Sequence, residues 1–316
     1  MSQISPSRAK HLFQEPFSWL YSLWKFSRPH TVIGTTLSVW ALYLIALVIT
    51  DSSVTVGSLG HWLGAWIACL CGNIYIVGLN QLEDVSIDEV NKPDLPVAAG
   101  EFSLRQGQWI VGITGILALL LAARLGGWLL ATVGVSLAIG TAYSIPPVRL
   151  KRFPFWAALC IFTVRGTIVN LGLFLHFSQK LTGTEFLPPA IWALTLFILV
   201  FTVAIAIFKD VPDTAGDKQY NISTFTLLLG KPAVFNLARW VISICYLGMI
   251  IAGIVWLPAV NPLFVCITHF GLLGLLWWRS QQVDLQEKVA ITQFYQFIWK
   301  LFFLEYILFP IACAPA

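Results

Sequence analysis

The chain has 316 residues, of which 58% are hydrophobic and only 11% charged, far below the roughly 25% charged residues of a soluble globular domain. A soluble enzyme is thereby excluded, and the net charge of +4 raises the question of which membrane side holds the basic residues rather than suggesting a nucleic-acid surface. Continuous apolar runs such as LALLLAARL exclude a membrane β-barrel, whose strands alternate over about ten residues.

Residues 1–29 contain basic residues but no short apolar run ending in a small-residue cleavage site, so they read as a cytoplasmic N-terminal segment, neither a secretory signal nor a transit peptide. That pattern suggests a bacterial protein inserted directly into its membrane, or a mature form already trimmed. From 30 to 316 the chain reads as a single transmembrane domain. Apolar windows of about 18 or more residues, the length that crosses a bilayer as a helix, are centred on 30–50, 62–82, 107–124, 126–143, 154–177, 187–208, 233–254, 261–278 and 295–314. The expected fold is all-α, a polytopic bundle of about nine helices, since helices satisfy their own backbone polar groups in lipid. Six cysteines, Cys69, Cys71, Cys160, Cys245, Cys266 and Cys313, lie in or beside these windows without a CxxC pair, as small buried hydrophobes do.

If the helices alternate in direction, one side collects Arg8, Lys10, Lys25, Arg28, Lys92, Arg105, Arg149, Lys151, Arg152, Lys209, Lys218, Lys231, Arg279, Lys288 and Lys300, and the other only Arg124 and Lys180. The basic side is expected to be cytoplasmic. Two acidic clusters emerge there, NQLEDVSIDEVNKPDLPVAAGE at 80–101 after the second span and KDVPDTAGDK at 209–218 after the sixth. Their matching positions suggest a pseudo-repeat of helices one to four and five to eight around a central cavity.

Asn80, Asp84 and Asp88 stand at i, i+4, i+8, and Asp210, Asp213 and Asp217 at i, i+3, i+7, spacings that line one face of a continuing helix. Two carboxylate faces brought together repel unless cations lie between them. Hard oxygen donors suit Mg2+, which takes one or two carboxylates plus substrate phosphate oxygens. Lys92, Lys209 and Lys218 flank the clusters, and YSIPPVRLKR adds Tyr143, Arg149 and Lys151 on the same side, a set suited to hold a diphosphate and stabilise it as it leaves. Taken singly, these residues are explained by solvated loops, topology or lipid headgroups. The two matched faces together favour a metal-diphosphate site. A secondary transporter is the reading from another class, but it would place its carboxylates near the bilayer midplane rather than at helix ends.

The motifs NxxxDxxxD (Asn80, Asp84, Asp88) and DxxxD (Asp213, Asp217) resemble the two signatures of the UbiA superfamily of intramembrane aromatic prenyltransferases. With KFSRPHTVIGT at 25–35 and RGTIVNLGLFLHF at 165–177, the pattern is most similar to the branch that prenylates homogentisate with a phytyl chain. Solanesyl-transferring and chlorophyll-forming members share the Asp motifs. The resemblance implies a helical bundle around a central cavity and an Mg2+-bound prenyl diphosphate whose allylic chain is attacked by the aromatic acceptor, here homogentisate, with loss of carbon dioxide. Membrane lipid surrounds such a protein, and no nucleic acid is involved. It also implies Asn80, Asp84 and Asp88 as ligands of one metal and Asp213 with Asp217 of the other, Asp210 standing a helical turn away, with the four motif aspartates as the catalytic set. Tyr143, Arg149 and Lys151 match the family's diphosphate-contacting segment. For the anionic acceptor, Arg28 and His30, or Arg165 and Asn170 on the fifth span, are the alternatives; an arginine within a span is a functional hypothesis by default. His61, His176 and His269 read as interfacial or core histidines, because no partner falls at metal-binding spacing.

Overall fold

The computed structural model describes residues 15–219, 223–258 and 260–314, excepting the side chains of 215–217. The helices in chain order are α1 (Pro16–Phe26), α2 (Pro29–Ile49), α3 (Val56–Glu83), α4 (Val85–Asn91), α5 (Leu104–Leu125), α6 (Gly127–Ser144), α7 (Pro154–Phe162), α8 (Val169–Thr182), α9 (Pro189–Phe208), α10 (Thr214–Gln219), α11 (Phe225–Leu229), α12 (Lys231–Val255), α13 (Pro262–Ser280) and α14 (Lys288–Cys313). Among the described residues nine spans are long and apolar enough to cross a bilayer, with α7 and α8 forming one of them, Pro154–Thr182. The expected all-α bundle is what the chain forms, and α1, α4, α10 and α11 lie outside the spans.

Local sequence sets the boundaries. Thr55 and Ser58 make a reciprocal capping box at the start of α3, and Ser103 and Gln106 do the same for α5, each satisfying amide groups that a helix start leaves free. Prolines occupy the first turn of α1, α2, α7, α9 and α13, where their missing N–H costs nothing. Between α7 and α8, residues Thr163–Ile168 widen into a π-turn. Gly166 lies inside it against α9; a Cβ there would stand 2.5 Å from the Leu199 Cα, so only glycine permits that approach.

The spans pack α3 on α5, α9 on α12, and α2 on α8 and α14. The main core is rich in phenylalanine, with Phe201, Phe208, Phe294, Phe302 and Phe309 fully buried. Lipid tails are as apolar as these side chains, so close packing rather than escape from water holds the bundle together. A second cluster joins Phe26 of α1 to Leu79, Val97, Phe102 and Val111. Gly78 admits it, since a Cβ there would meet the Phe26 ring at 2.6 Å and Val111 at 2.8 Å.

Beyond the pairs around the cavity, one histidine–carboxylate contact among the described residues lies deep in the spans. His269 Nε2 of α13 stands 3.1 Å from Glu305 Oε2 of α14, with Glu305 fully buried. The partner of His269 is 36 residues away along the chain, outside any local spacing pattern.

Candidate active site

One cavity of about 1660 Å³ runs into the bundle. Its mouth is formed by the end of α3, α4, the 145–153 connection, residues 209–213 after α9, and the start of α14; its depth is lined by Val39, Leu137, Leu173, Ile205, Phe302 and Tyr306. It is charged at one end and apolar within.

The first acidic cluster is not one continuous helix face. α3 stops at Glu83, and Asp84 (φ −118°, ψ 19°) caps both α3 and α4. The break follows from the Asp84 side chain, which is committed to tertiary donors, and from the general preference of Asp for caps over helix interiors. Arg149 Nη2 donates to Asp84 Oδ1 at 2.9 Å, Lys151 Nζ to Oδ2 at 2.6 Å, and Asn80 Nδ2 to Oδ2 at 3.0 Å. Arg28 Nη2 in turn donates to Asn80 Oδ1 at 3.1 Å. Both arginines sit in left-handed backbone, Arg28 at φ 53° and Arg149 at φ 36°. Such a conformation is uncommon for a large side chain and marks positions where the surroundings hold the chain against its own preference.

The second cluster meets the first through contact of α4 with α10. Asp213 pairs with Lys92, and Lys209 Nζ donates to Asp210 Oδ1 at 2.8 Å. Asp84, Asp88 and Asp213 are 9%, 5% and 8% exposed, which excludes solvated acidic loops. Among the described residues no three of the carboxylates converge tightly enough to hold a metal ion together; arginine and lysine side chains neutralise Asp84, Asp210 and Asp213. Asp88 differs. Its Oδ2 is buried without a hydrogen-bond partner, and burial pushes its carboxyl above the usual range against the pull of Arg28 and Lys92. A buried, unpartnered carboxylate oxygen beside other aspartates is a donor set that fits a hard divalent cation. Burial lowers the Lys151 ammonium, with Asp84 opposing. For Lys209, burial also disfavours the charge, but Asp210 and Tyr143 outweigh it and hold the ammonium well above the ordinary lysine value.

Asn80, Asp84, Asp88, Lys92, Tyr143, Arg149, Lys151, Lys209, Asp210 and Asp213 all line the cavity, as do Arg28, His30 and Arg165. Lys218 is exposed and lies off it. The side chain of Asp217 is outside the described residues. Asn170 is fully buried behind the wall, donating to Gly166 O at 2.6 Å and Arg165 O at 3.3 Å and accepting from Tyr306 Oη at 2.8 Å. It ties the π-turn to α14 rather than facing the cavity. Arg165 leaves that turn over the rings of Trp299 and Phe302, 4.7 and 5.6 Å from their centroids, with His30 packed on Trp299 at 4.8 Å.

Sequence reasoning did not identify the face of α14. Tyr295, Trp299, Phe302, Phe303 and Tyr306 all line the cavity, at i, i+4, i+7, i+8 and i+11. That helical stripe was the available signal, but in so aromatic a chain it does not distinguish cavity from lipid.

A membrane-embedded bundle whose apolar cavity ends in buried aspartates ringed by lysine and arginine defines an enzyme for an amphiphile with a charged head. The chain belongs to the UbiA prenyltransferase family, whose model matches residues 38–301. It is 58% identical over 294 residues to the homogentisate phytyltransferase of Synechocystis sp., covering 93% of this chain and 96% of that protein. Identity is 42% to the chloroplastic homogentisate phytyltransferase 1 of Arabidopsis thaliana, over 92% of this chain and 75% of that one. A UbiA homolog from Archaeoglobus fulgidus, solved bound to GPP and Mg2+, shares the fold with a TM-score of 0.61 at 15% identity, over 92% of this chain and 99% of that chain.

Proposed function

We propose that this chain transfers a phytyl group from phytyl diphosphate to homogentisate. The allylic C–O bond breaks and diphosphate leaves with its bonding pair. The acceptor ring carbon takes the chain and loses its proton, while the acetate side chain loses carbon dioxide and gains a proton, giving 2-methyl-6-phytyl-1,4-benzoquinol. The reading is supported most by one observation: Asp84, Asp88 and Asp213 are buried among cations at the end of an apolar cavity, in a chain 58% identical to a relative of that name.

In this reading Asn80, Asp84 and Asp88 on one side and Asp210, Asp213 and Asp217 on the other hold Mg2+. Bound there, magnesium supplies positive charge to the departing diphosphate. Lys92, Tyr143, Arg149, Lys151 and Lys209 orient the diphosphate and stabilise its developing charge, which lowers the barrier because they are fixed before the reaction begins. Arg149 and Lys151 now rest on Asp84, so they stand within reach of both metal ligand and leaving group. The cavity exceeds the roughly 300–1,000 Å³ of drug-sized pockets, enough for a long chain and an aromatic acceptor together. Tyr295, Phe303 and Tyr306 bring further aromatic rings to the cavity wall, and a ring face there attracts an allylic cation. Arg165, backed by His30, offers a cation to the homogentisate carboxylate. The excess of basic residues on the mouth side supports a cytoplasmic mouth, and the Synechocystis relative supports a cyanobacterial-type membrane.

The test is to reconstitute the protein in lipid with Mg2+ and homogentisate and supply geranylgeranyl, phytyl and solanesyl diphosphates in parallel. The phytylated quinol should form fastest. A preference for solanesyl diphosphate, or absence of any prenylated quinol, overturns the reading.

A further inference from the structure

The feature left over by the cavity is α1. It has two apolar faces. Trp19, Leu23 and Phe26 turn inward onto the second core, with Phe102 of the 92–103 segment. Trp19 and Phe26 pack on the Phe102 ring at 5.5 and 5.8 Å. Phe17, Leu20, Tyr21 and Trp24, spaced i, i+3, i+4, i+7, turn outward and are 88%, 53%, 61% and 43% exposed. At 1.5 Å per residue, 11 residues extend only about 16 Å, half of the roughly 30 Å hydrocarbon core, so α1 does not span. Only Ser27 and Arg28 separate it from the spanning α2, which holds it at the bilayer surface. Next to its outer face lies an apolar groove of about 240 Å³ between α1, α2 and α3, lined by Leu20, Leu23, Trp24, Val32, Leu70 and Ile74.

The polar residues of α1 face the cap of the cavity. Ser22 Oγ donates to Glu101 Oε2 at 2.6 Å, and Lys25 pairs with Glu101 and reaches Asp94 O at 3.5 Å. The same segment begins with Lys92, the partner of Asp213. Arg28, at the corner between α1 and α2, holds Asn80 of the first motif.

We propose that α1 is an in-plane membrane anchor. Its Phe17–Leu20–Tyr21–Trp24 face enters the headgroup–acyl boundary, a phospholipid acyl chain fills the groove beside Trp24, and the Glu101 clip ties the order of the 92–103 cap to that contact. The occupant is bilayer lipid because the far wall of the groove, Leu70 and Ile74 of the spanning α3, continues the helical stripe of Leu63 and Ile67, which are 44% and 40% exposed. Aromatic residues on a short helix joined directly to a span have the composition that seats in this boundary.

Amide hydrogen exchange tests this on the full chain in phosphatidylcholine nanodiscs holding one copy each. Residues 17–26 should exchange slowly in the native protein. Leu20→Glu/Trp24→Glu should speed exchange about tenfold or more in 17–26 and in 94–102, leaving the spans unchanged; about tenfold corresponds to ~1.4 kcal/mol of lost docking. If the double Glu protein does not assemble, Leu20→Ser/Trp24→Ser carries the same expectation. Glu101→Gln should loosen 94–102 while 17–26 stays slow. Exchange in 17–26 that is indifferent to charge at 20 and 24 overturns the proposal. So does fast native exchange that slows only when two copies share a disc, since the face then awaits protein.

Discussion

Asn170 and Tyr306 offer a sharp test of how the cavity wall is held. Asn170→Ala removes three hydrogen bonds, to Gly166 O, to Arg165 O and from Tyr306 Oη, and strands the buried Tyr306 hydroxyl. A neutral hydrogen bond contributes about 1 kcal/mol net, and an orphaned buried group costs about 1–3 kcal/mol, so the substitution should cost roughly 2–4 kcal/mol. Tyr306→Phe removes one bond and strands only the Asn170 carbonyl, for about 1–3 kcal/mol. Because the two residues touch, the double variant should cost less than the sum of the singles, by about 1 kcal/mol. The functional consequence comes through the π-turn: Asn170 fixes the carbonyls of Arg165 and Gly166, and so the direction in which Arg165 leaves the backbone over Trp299. Tyr306→Phe, the milder change, should therefore raise KM for homogentisate about three- to tenfold and leave KM for the prenyl diphosphate within about twofold, a difference of roughly 0.7–1.4 kcal/mol at the acceptor alone. Thermal unfolding in detergent measures the first effect and steady-state kinetics in lipid the second. Loss of stability with an unchanged homogentisate KM would refute the link from Asn170 through Arg165 to the acceptor.

Lys151→Met removes a donor from Asp84 and a cation from the mouth; KM for phytyl diphosphate should rise about 10- to 150-fold with homogentisate KM unaffected, as for loss of one charge-assisted bond of about 1.5–3 kcal/mol. Gly78→Ala places a methyl 2.6 Å from the Phe26 ring and should lower stability by about 1–3 kcal/mol, with the loosening concentrated in α1 by hydrogen exchange. His269→Leu leaves Glu305 buried without its partner and should cost about 3–5 kcal/mol, whereas His269→Leu/Glu305→Leu, which removes both polar groups, should recover most of that loss in a thermal denaturation series.

What the sequence displays is whatever has a local signature. The spans are legible because about 18 apolar residues must be consecutive to cross a bilayer, and among the described residues spans form at the nine expected places. Asp84, Asp88 and Asp213 stand out because acidic residues at helical spacing are rare in so apolar a chain. The break at Asp84 was not legible, since it depends on Arg149 and Lys151, more than sixty residues away. Nor was the His269–Glu305 pair, whose members lie on different helices. The aromatic face of α14 has a readable period, yet lipid and cavity ask for the same residue types, so only the packing of α14 against α2 and α9 decides between them. Asn170 falls in the RGTIVNLGLFLHF motif at 165–177, but its amide is spent on the π-turn and not in the cavity.

The central claim is that buried aspartates at the cavity mouth, with magnesium, drive loss of diphosphate from a prenyl chain that homogentisate then accepts. Release of labelled carbon dioxide from carboxyl-labelled homogentisate, in lipid with phytyl diphosphate and Mg2+, measures it most directly. Release should require the prenyl diphosphate, stop on chelation of divalent metal and resume when Mg2+ is restored, and fall about 100-fold or more in Asp84→Ala and Asp213→Ala, the scale set by removing a single group that stabilises transition-state charge. Turnover that persists at the native rate after chelation, or in either variant with its fold intact, would contradict the account.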